Sequence, residues 1–409
     1  MTFTAIDLFS GAGGLSAGLQ SAGFRVLFAS DIDEKKITTF QANHQETRAV
    51  AGDISELSAS DIAAQVGLKA GELDLLAGGP PCQGFSINAP VRTMDDGRNH
   101  LFLEFTRIAR TLLPKCILIE NVPGIVSMDR GGVVAAIYRE LESMGYDVSH
   151  RILFAGHYGV PQTRWRTIFI GVREGLGVPT FPEPVYNAQA VANFAGGREL
   201  CFRLDDEGRF LGRKLARFTS VADAIFDLPV IPDGGGSDEM PYLFPPKTEY
   251  QKLLRGSSST LYNHRAGGLS QINHQRLQYI PPGGSWRDIP FELLPEGMRR
   301  ARRSDHTKRY GRLHPDQLCS TILTKCDPHW GAFFHPTQDR VLSVREAARI
   351  QSFPDSFRFF GSLMEQYEQV GNAVPPLLAQ AIGVHIIRTI LTQEGQAVGA
   401  EVRQRRIPV

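Results

Sequence analysis

The residue of this sequence best suited to nucleophilic chemistry is Cys82. It follows two prolines in the run Gly78-Gly-Pro-Pro-Cys-Gln-Gly-Phe-Ser86, directly after an apolar stretch, and the prolines stiffen the turn that carries it. Most free cysteines are small buried apolar residues, which fits Cys116 within an aliphatic run but fits Cys82 poorly. A thiol is only slightly ionised near neutral pH, so a nucleophilic role for Cys82 requires neighbouring groups that activate it.

Three charged residues further along the chain are candidates for that activation. Glu120 follows the apolar run CILI, where partial desolvation would suit its carboxyl group to proton donation. Arg164 and Arg166 alternate about Trp165 in the run QTRWR, so an extended segment would point both guanidinium groups to one face. Two guanidinium groups on one face need anionic or carbonyl partners. A solvated strand start is the alternative interpretation of the two arginines taken alone.

A glycine-rich turn near the start of the sequence is suited to binding a ligand. The run Asp7-Leu-Phe-Ser-Gly-Ala-Gly-Gly-Leu15 joins an apolar stretch to a helical pattern. Its glycines let a ligand approach the backbone, and a helix N-terminus favours polar groups. Ser16 stands where a dinucleotide fingerprint requires Gly or Ala. Asp31 and Asp53 follow the next two strand-like runs; each acid alone is typical of a solvated loop, but together with the turn they favour an adenosine-type pocket.

Short apolar runs alternate with helical patterns over the first 175 residues. The runs predicted as buried strands are Thr4–Leu8, Val26–Ser30, Leu73–Ala77, Cys116–Glu120 and Thr167–Val172. This alternation indicates βαβ units, and therefore an α/β fold with a doubly wound, mixed but mostly parallel sheet. Active sites of such sheets lie at the carboxyl ends of the strands, which is where the glycine-rich turn, the acids and the proline-flanked cysteine occur.

The organisation of the chain changes after residue 175. Glycine and proline become frequent and periodicity is lost, as in Pro232-Asp-Gly-Gly-Gly236, but interspersed aromatic and aliphatic residues favour a loop-rich domain over disorder. Helical patterns return at Val344–Gln351 and Pro375–Leu391. We therefore predict a catalytic and cofactor-binding domain at 1–175, a smaller loop-rich domain at 176–335 and a C-terminal segment at 336–409.

Composition excludes several classes of protein. The chain has 409 residues and 5 Cys, without a CxxC pair, a signal-peptide pattern or an apolar run of about 18 residues. Membrane, disulfide-rich secreted and disordered classes are therefore not expected. The residues Cys319, Cys326 and His329 match no common zinc spacing, so no metal site is predicted.

Charge is distributed unevenly along the chain. Residues 1–150 carry 12 Lys+Arg and 18 Asp+Glu, whereas the remainder carries 32 and 25. The densest basic run lies between Arg299 and Arg312. A solvated face and a surface that binds a polyanion are both compatible with that run.

Taken in order, these motifs resemble those of the DNA (cytosine-5)-methyltransferase family in its compact prokaryotic form. The matching motifs are FSGAGG, PPCQGFS, ENV at Glu120–Val122, QTRWR at Gln162–Arg166, the run Arg340–Pro354 and GNAVP at Gly371–Pro375. They cover most of 4–175 and 309–392, and the unmatched 176–300 lies where the family keeps its target recognition domain. The resemblance implies a Rossmann-like, class I methyltransferase fold whose C-terminal segment returns to the catalytic domain.

The resemblance also implies a mechanism. Cys82 would be the nucleophile that adds to C6 of cytosine and so enables C5 to attack the methyl group of S-adenosylmethionine. Glu120 would protonate or hydrogen-bond N3, Arg164 would hold the cytosine O2, and Arg166 would support Glu120. A cytosine inside a duplex must first be flipped out, and the segment Gln83–Asn99 is expected to close over it.

The cofactor that the resemblance implies is S-adenosylmethionine, with S-adenosylhomocysteine as product. Phe9 and Ile32 are expected on the adenine, Asp53 at its amine, and Asp31 at the ribose hydroxyls, where many relatives carry the longer Glu. The complete set of expected cofactor contacts is Phe9, Gly11, Gly13, Gly14, Leu15, Asp31, Ile32, Asp53, Ile54, Pro81, Leu101, Asn372 and Val374.

Double-stranded DNA is the implied substrate. Ser86 is expected at a phosphate near the target, and Asn88 in the space that the flipped base vacates. The arginines expected mostly at phosphates are Arg299, Arg302, Arg303 and Arg309. The resemblance also implies a monomer that acts at the nucleoid, in the prokaryotic cytoplasm. A cognate restriction endonuclease would act independently of it.

Three other functions stay open at this point. The same chemistry on tRNA cytosine is the nearest alternative, although the long 176–300 region disfavours it. A nucleotide-binding oxidoreductase is disfavoured by Ser16. A catalytically inactive DNA-binding module is disfavoured by the presence of Cys82, Glu120 and Arg164 together.

Overall fold

The computed structural model describes residues 2–81, 100–192, 194–302, 304 and 308–392. Internal packing divides the chain into two compact units. The first comprises the residues up to Tyr158, Trp165–Leu215 and the described residues from Pro376 onwards, and the second comprises Gly159–Arg164 and Ala216–Pro375.

A seven-stranded sheet forms the centre of the first unit. Its strands are β1 (Phe3–Leu8), β2 (Phe24–Asp31), β3 (Arg48–Ala51), β4 (Leu75–Gly78), β5 (Cys116–Asn121), β6 (Tyr146–Phe154) and β7 (Trp165–Arg173). They lie in the order β3-β2-β1-β4-β5-β7-β6. β1 to β5 are parallel to their neighbours within that group, whereas β7 is antiparallel to both β5 and β6. The predicted doubly wound, mixed but mostly parallel sheet is thereby confirmed.

Burial on both faces explains why the central strands appear as continuous apolar runs in the sequence. β1, β4 and β5 are almost wholly buried, as expected where helices cover each face of a parallel sheet. The helices in this part of the chain are α1 (Gly14–Ala22), α2 (Glu34–Asn43), α3 (Ala59–Val66), α4 (His100–Leu112) and α5 (Gly132–Glu142). One face of the sheet contributes Leu8 and Ile119 to a core shared with Phe105 of α4. A short hairpin of β8 (Arg209–Phe210) and β9 (Arg213–Lys214) completes the strands of this unit.

The second unit consists of short elements joined by long loops. Its strands pair as β10 (Gly236–Pro241) with β11 (Thr260–Arg265), antiparallel, and as β12 (Gly311–Arg312) with β13 (Ala332–Phe334), parallel. Its helices are α6 (Val221–Ile225), α7 (Glu249–Arg255), α8 (Gln271–Leu277), α9 (Val344–Ile350) and α10 (Leu363–Asn372). A small core in this unit includes Leu277, Trp286 and Phe334.

Buried arginines supplement this small core. Arg349 is fully buried and pairs with Asp227 and with Asp355, the latter at 2.6 Å. Arg340 makes two hydrogen bonds of 2.7 Å with Glu346. Burial acts to raise the pKa of Glu346, but Arg340 outweighs burial and holds that pKa well below its ordinary value. Removing one partner would leave an uncompensated buried charge, so these ion pairs fix the packing of α9.

The unit boundaries differ from those predicted from the sequence. Residues 176–215, assigned to the loop-rich domain, belong to the first unit, where the Tyr158 hydroxyl donates to the backbone oxygen of Pro182. Residues 336–375, assigned to the segment that returns to the catalytic domain, belong to the second unit because α9 is paired with Asp227. Neither boundary coincides with a change in composition, which was the signal used to place them.

The last described helix, α11 (Pro376–Ile386), packs against α1 in the first unit. A Cβ atom at Gly18 would overlap the backbone oxygen of Pro376 and the Cβ atom of Ala379, so this close approach requires glycine. The stretch Leu363–Leu391, which contains α10 and α11, is long and apolar enough to cross a membrane. Half of its most apolar window is buried within the protein, as in a core helix, so it is weak evidence for a membrane span.

Asp7 connects β1 to the start of α1. Its Oδ2 atom accepts a hydrogen bond of 2.6 Å from the Ser16 hydroxyl, and the side chain is 1% exposed. Burial raises the pKa of Asp7 from 3.8 to about 7; the hydrogen bonds from Ser16 oppose this effect and the charge of Asp31 adds to it. The folded state therefore holds this proton over a pH range in which the unfolded chain releases it.

We expect the Asp7→Asn substitution to reduce the fall in stability that occurs between pH 5 and pH 8. Because the folded-state pKa, about 7, lies above the unfolded-state value of 3.8, stability falls as pH rises between these two values and levels off above the folded-state pKa. Between pH 5 and pH 8, the unfolding free energy of the variant should rise by roughly 2–3 kcal/mol relative to that of the wild type. Urea titrations at several pH values measure it. Ser16→Ala keeps the carboxyl group and should keep the pH dependence; parallel profiles for wild type and Asp7→Asn would contradict the assignment.

Candidate functional site

Neighbouring strands bring the candidate residues of the first unit to one edge of its sheet. β3, β2, β1, β4 and β5 run parallel, so their carboxyl ends meet where sites of such sheets lie. Asp31 ends β2, Asp53 follows β3, and Glu120 is the penultimate residue of β5. The glycine-rich turn follows β1 at the same edge.

The glycine-rich turn has a conformation that its sequence requires. Phe9 and Gly11 adopt positive φ angles of 59° and 56°, and Gly13 has φ 101°. A Cβ atom at Gly13 would overlap the His44 ring, whose Nε2 atom lies 3.2 Å from the oxygen of Gly13. Gly13 caps α1 without a side-chain hydrogen bond. The first amide groups of a helix have no partners within it, so this end of α1 is suited to an anionic or polar ligand. Gly14 and Leu15, the next two expected contacts, are buried in its first turn.

Asp31 holds the turn in place. Its Oδ2 atom accepts a 2.9 Å hydrogen bond from the amide of Gly11, and its Oδ1 atom accepts one of 3.0 Å from the amide of Asp33. Each carboxylate oxygen can accept more than one hydrogen bond, so these contacts are compatible with an additional hydroxyl ligand. Ile32 beside it is 74% exposed, an unusual position for an isoleucine unless a ligand covers it.

Asp53 caps the short helical turn that follows β3. Its Oδ1 atom accepts from the amide and the hydroxyl of Ser55, at 2.9 and 2.8 Å. These hydrogen bonds lower the pKa of Asp53, so its exposed carboxylate is ionised at neutral pH. Ile54 is buried, and its backbone oxygen accepts from Arg107 at 3.0 Å. Of the other expected contacts, Pro81 is exposed and Leu101 is half-buried on α4.

Glu120 and Arg166 form an ion pair across β5 and β7. The Nε atom of Arg166 lies 2.5 Å from Oε1 of Glu120, and the side chains are only 13% and 15% exposed. A Cβ atom at Gly79 would lie 3.2 Å from Oε2 of Glu120. The Asn121 side chain donates to the backbone oxygen of Pro80 at 3.0 Å. The turn that leads to Cys82 is thus fixed beside the ion pair.

Asn121 is a residue of the site whose role the sequence analysis did not identify. It lies within the ENV motif, and its contact with Pro80 joins two motifs that are separated by some 40 residues of sequence. The ENV motif could have identified this role, because a side-chain amide beside a carboxylate is suited to form hydrogen bonds with backbone groups.

Arg164 is placed differently from Arg166. It is 1% exposed in the second unit, where its Nη1 atom donates to the oxygen of Ile322 and its Nη2 atom to those of Gly371 and Ala373, at 2.9–3.2 Å. The regular strand begins only at Trp165, so the alternation that predicted one shared face does not extend back to Arg164. Its Nη groups are engaged by backbone carbonyls, which does not favour the predicted contact with cytosine O2.

The other residues expected from the sequence belong to the second unit or lie outside the described residues. Those outside are Cys82, Ser86, Asn88 and Arg303, whose roles stay predictions. Asn372 is exposed at the end of α10 and Val374 is buried, both in the second unit, so their predicted part in the cofactor pocket also stays a prediction.

The basic run of the second unit is not uniformly available for phosphates. Arg299 is exposed but donates to the oxygen of Glu292 at 3.1 Å, and Arg302 is exposed. Arg312, by contrast, is only 13% exposed and pairs with Asp339 at 2.8 Å. Arg312 therefore has a structural role.

The described thiols are buried or half-buried. Burial raises the pKa of Cys116 far above its ordinary value and that of Cys319 to about 12, so neither is a nucleophile at neutral pH. Cys116 is completely buried in β5, which confirms the interpretation of that residue as a small apolar core residue. Within the described residues, no three His, Cys, Asp or Glu side chains are grouped as metal ligands would be.

Comparison with known proteins identifies relatives over nearly the whole chain. The family described as C-5 cytosine-specific DNA methylase matches residues 3–388. The Type II methyltransferase M.AgeI of Thalassovita gelatinovora is 34% identical over 92% of this chain and 97% of its own length. The Type II methyltransferase M1.HphI of Haemophilus parahaemolyticus is also 34% identical, over 95% and 87%.

A solved structure supports the same conclusion. The crystal structure of a prophage-encoded DNA modification methyltransferase from E. coli superposes with a TM-score of 0.70 at 28% identity, covering 94% of this chain and 99% of the other. With the family match and the two relatives above, these similarities confirm the resemblance that the motifs indicated. The chain is a DNA methyltransferase that belongs to the C-5 cytosine-specific DNA methylase family.

Proposed function

We propose that the chain transfers a methyl group from S-adenosylmethionine to C5 of a flipped-out cytosine within a specific short sequence of double-stranded DNA, through a covalent adduct between Cys82 and C6. The observation that carries this proposal is the ion pair of Glu120 and Arg166 beside the turn that leads to Cys82. A nucleophile, an acid and a guanidinium group are the three groups that addition to a cytosine ring requires.

The first unit has side chains suited to S-adenosylmethionine. Exposed Ile32 offers an apolar surface for a flat ring, Asp53 offers an ionised acceptor for an amine, and Asp31 retains lone pairs for hydroxyl groups. The uncapped end of α1 suits a carboxylate. When bound, this cofactor supplies an electrophilic methyl group on a sulfonium ion.

The residues of the chain prepare the cytosine ring to react. The Cys82 thiolate forms a bond to C6 while the Glu120 carboxyl group donates a proton to N3, and C5 thereby becomes nucleophilic. After methylation, a solvent base takes the C5 proton, the electrons of that C–H bond form the C5–C6 double bond again, and the C6–S bond breaks to release the Cys82 thiolate. The N3 proton returns to the Glu120 carboxylate. The base must be outside the helical stack for C6 to be reached.

We assign to Arg166 the contact with the cytosine O2 that was first expected of Arg164. Arg166 has its Nε atom at Glu120 and its Nη1 atom at the oxygen of Trp165, so its guanidinium group lies beside the acid that serves N3. N3 and O2 are adjacent on the pyrimidine ring. Arg164, with its Nη groups on backbone carbonyls, acts as a positioning residue.

The setting of this activity follows from the relatives. Two of them are named Type II methyltransferases, so we propose that this chain modifies DNA in the cytoplasm of a prokaryotic cell as a monomer. A cognate restriction endonuclease would act independently on the same sequence. Incubation with labelled cofactor and either unmethylated plasmid DNA or tRNA separates this function from the tRNA alternative, and label in tRNA alone would contradict it.

Cys82→Ser should abolish methyl transfer while leaving DNA and cofactor binding intact. A serine hydroxyl is far less ionised than a thiol near neutral pH, so the rate should fall roughly a thousandfold or more. DNA in which 5-fluorocytosine replaces cytosine tests the adduct directly, because fluorine takes the place of the C5 proton and cannot be removed by a base, so the adduct persists. Wild type should form a complex with it that resists denaturant, and Cys82→Ser should not. Cys201→Ser, at a half-buried thiol, is the matched control; adduct formation by Cys82→Ser would overturn the assignment.

Substitution of the two motif arginines should have different consequences. Arg166→Lys keeps a positive charge beside Glu120 but loses the guanidinium donors, so it should lower the turnover number by roughly ten- to a thousandfold with little change in melting temperature. Arg164→Ala removes the partner of three backbone carbonyls and should lower the melting temperature by several degrees. Single-turnover methylation and thermal unfolding distinguish them. Equal effects of both substitutions on stability would remove Arg166 from the proposed chemistry.

Asp53→Asn should weaken cofactor binding without disturbing the local turn. The amide keeps an acceptor for Ser55 but replaces the other oxygen by a donor, which repels the expected adenine amine. We expect the dissociation constant of S-adenosylhomocysteine to rise by about three- to tenfold. Calorimetry measures it, and Ser55→Ala controls for the capping contact. Unchanged affinity in Asp53→Asn would exclude Asp53 from the pocket.

A further inference from the structure

Trp330, in the second unit, is a large aromatic residue that the polypeptide leaves uncovered. Its side chain is 54% exposed, whereas the other two tryptophans, Trp165 and Trp286, are 9% and 4% exposed. Aromatic side chains of this size are normally well buried. An exposed tryptophan is therefore a candidate for a surface that another molecule covers.

The backbone around Trp330 is held firmly by a turn. The amide of Trp330 donates to the oxygen of Asp327 at 3.0 Å, and the amide of His329 donates to Oδ1 of Asp327 at 2.9 Å. Tyr310 secures the same turn twice: its amide donates to the oxygen of Pro328 at 2.6 Å, and its hydroxyl lies 3.2 Å from Nδ1 of His329. These contacts therefore fix the turn that carries the exposed ring.

Tyr310 also carries backbone strain. Its φ angle is +49°, a left-handed conformation that costs a residue with a side chain free energy. Such strain persists where the surrounding contacts impose it, and it is concentrated at functional sites. Here the contacts that impose it are those that support the turn below Trp330.

The other end of this loop is anchored as well. The amide of Ile322 donates to Oε1 of Gln162 at 3.1 Å, and its oxygen accepts from Arg164 at 3.2 Å. Between the two anchors, Leu323–Lys325 are exposed. We call Leu323–Trp330 the Trp330 loop. Its first anchor is formed by two residues of the QTRWR motif.

Basic side chains lie at the exposed ring and on the loop that carries it. The guanidinium carbon of Arg309 lies 5.2 Å from the centroid of the Trp330 ring. Lys308 precedes that arginine and Lys325 lies on the loop, and both are exposed. Asp327 is the one acid on the loop, and it is engaged by the amide of His329. A basic surface around a flat aromatic ring complements a polyanion that presents flat bases or sugars.

We infer that Trp330 and Arg309 together form a contact with duplex DNA, in which the indole ring packs on base or deoxyribose edges while Arg309 neutralises a phosphate. This inference rests on the proposed function, because it takes DNA as the substrate. It extends that function by assigning a DNA contact to an aromatic side chain outside the basic run. Arg164, through Ile322, is a positioning residue for the loop that carries it.

Tryptophan fluorescence tests the contact in the wild-type chain. Titration with unmethylated plasmid DNA should quench the emission and shift it to shorter wavelength, because Trp330 is the one tryptophan of three that solvent reaches freely. Trp330→Phe should lose this response while keeping the melting temperature of the wild type. Inorganic polyphosphate, a polyanion without bases or sugars, should not reproduce the shift; an equal shift with polyphosphate would overturn the inference.

Affinity measurements separate the two side chains. Trp330→Ala should weaken DNA binding roughly five- to a hundredfold and leave the salt dependence unchanged. Arg309→Ala should lower the slope of log affinity against log salt by about one. Tyr279→Ala, at an aromatic residue of the same unit that is 51% exposed, is the matched control and should bind as wild type does.

The outcomes distinguish this inference from the function on which it rests. Failure to methylate any DNA would overturn both. Methylation of DNA by a wild type whose tryptophan emission does not respond, with unchanged affinity in Trp330→Ala, would overturn the DNA contact alone.

Discussion

The proposed chemistry depends on the direction of a single strand. β5 ends at the functional edge of the sheet, and Glu120 lies near that end. In a wholly parallel sheet, the start of the next strand would lie at the opposite edge. Because β7 runs antiparallel to β5, its first residues lie beside the last residues of β5, and Arg166 reaches Glu120. The antiparallel direction of β7 thus brings residues of two motifs that are distant in the sequence into one ion pair.

Guanidinium groups have a second role in this protein, which is to organise irregular backbone. Arg164 and Arg345 donate to backbone carbonyls of loops, and Arg340 and Arg349 pair with buried acids. A fork of several donors can satisfy carbonyls that no regular helix or sheet engages. The second unit has short elements and a small core, and charge-assisted hydrogen bonds help to fix the arrangement of its loops and helices.

The sequence was sufficient to predict the fold class, and for identifiable reasons. Central parallel strands are buried on both faces, so β1, β4 and β5 appear as apolar runs. The edge strand β6 is half-buried over residues 147–151, where polar residues predominate, so no continuous apolar run marks the whole strand. The compact units are divided at residues other than the predicted domain boundaries, because the units depend on contacts such as that of Arg349 with Asp227, and no composition signal reports a contact between distant residues.

The residues of the site likewise divide into those that the local sequence could place and those whose placement depends on distant contacts. Asp31 and Asp53 could be placed at one edge because each follows a strand. The separation of Arg164 from Arg166 could not be foreseen, since it depends on where the regular strand begins and on carbonyls supplied from residues 322, 371 and 373. The family could still be identified from the sequence, because a set of motifs in a fixed order is typical of a family even where the geometry of its site cannot be predicted.

The close packing of α1 against α11 has a consequence for biosynthesis. α1 begins at Gly14 and α11 only at Pro376, so the helix that covers Gly18 is translated after more than 350 residues of intervening chain. Chains emerge from the ribosome N-terminal end first, and α1 must wait through that interval with one face exposed. A translation product that stops before α11 therefore leaves the first unit incomplete.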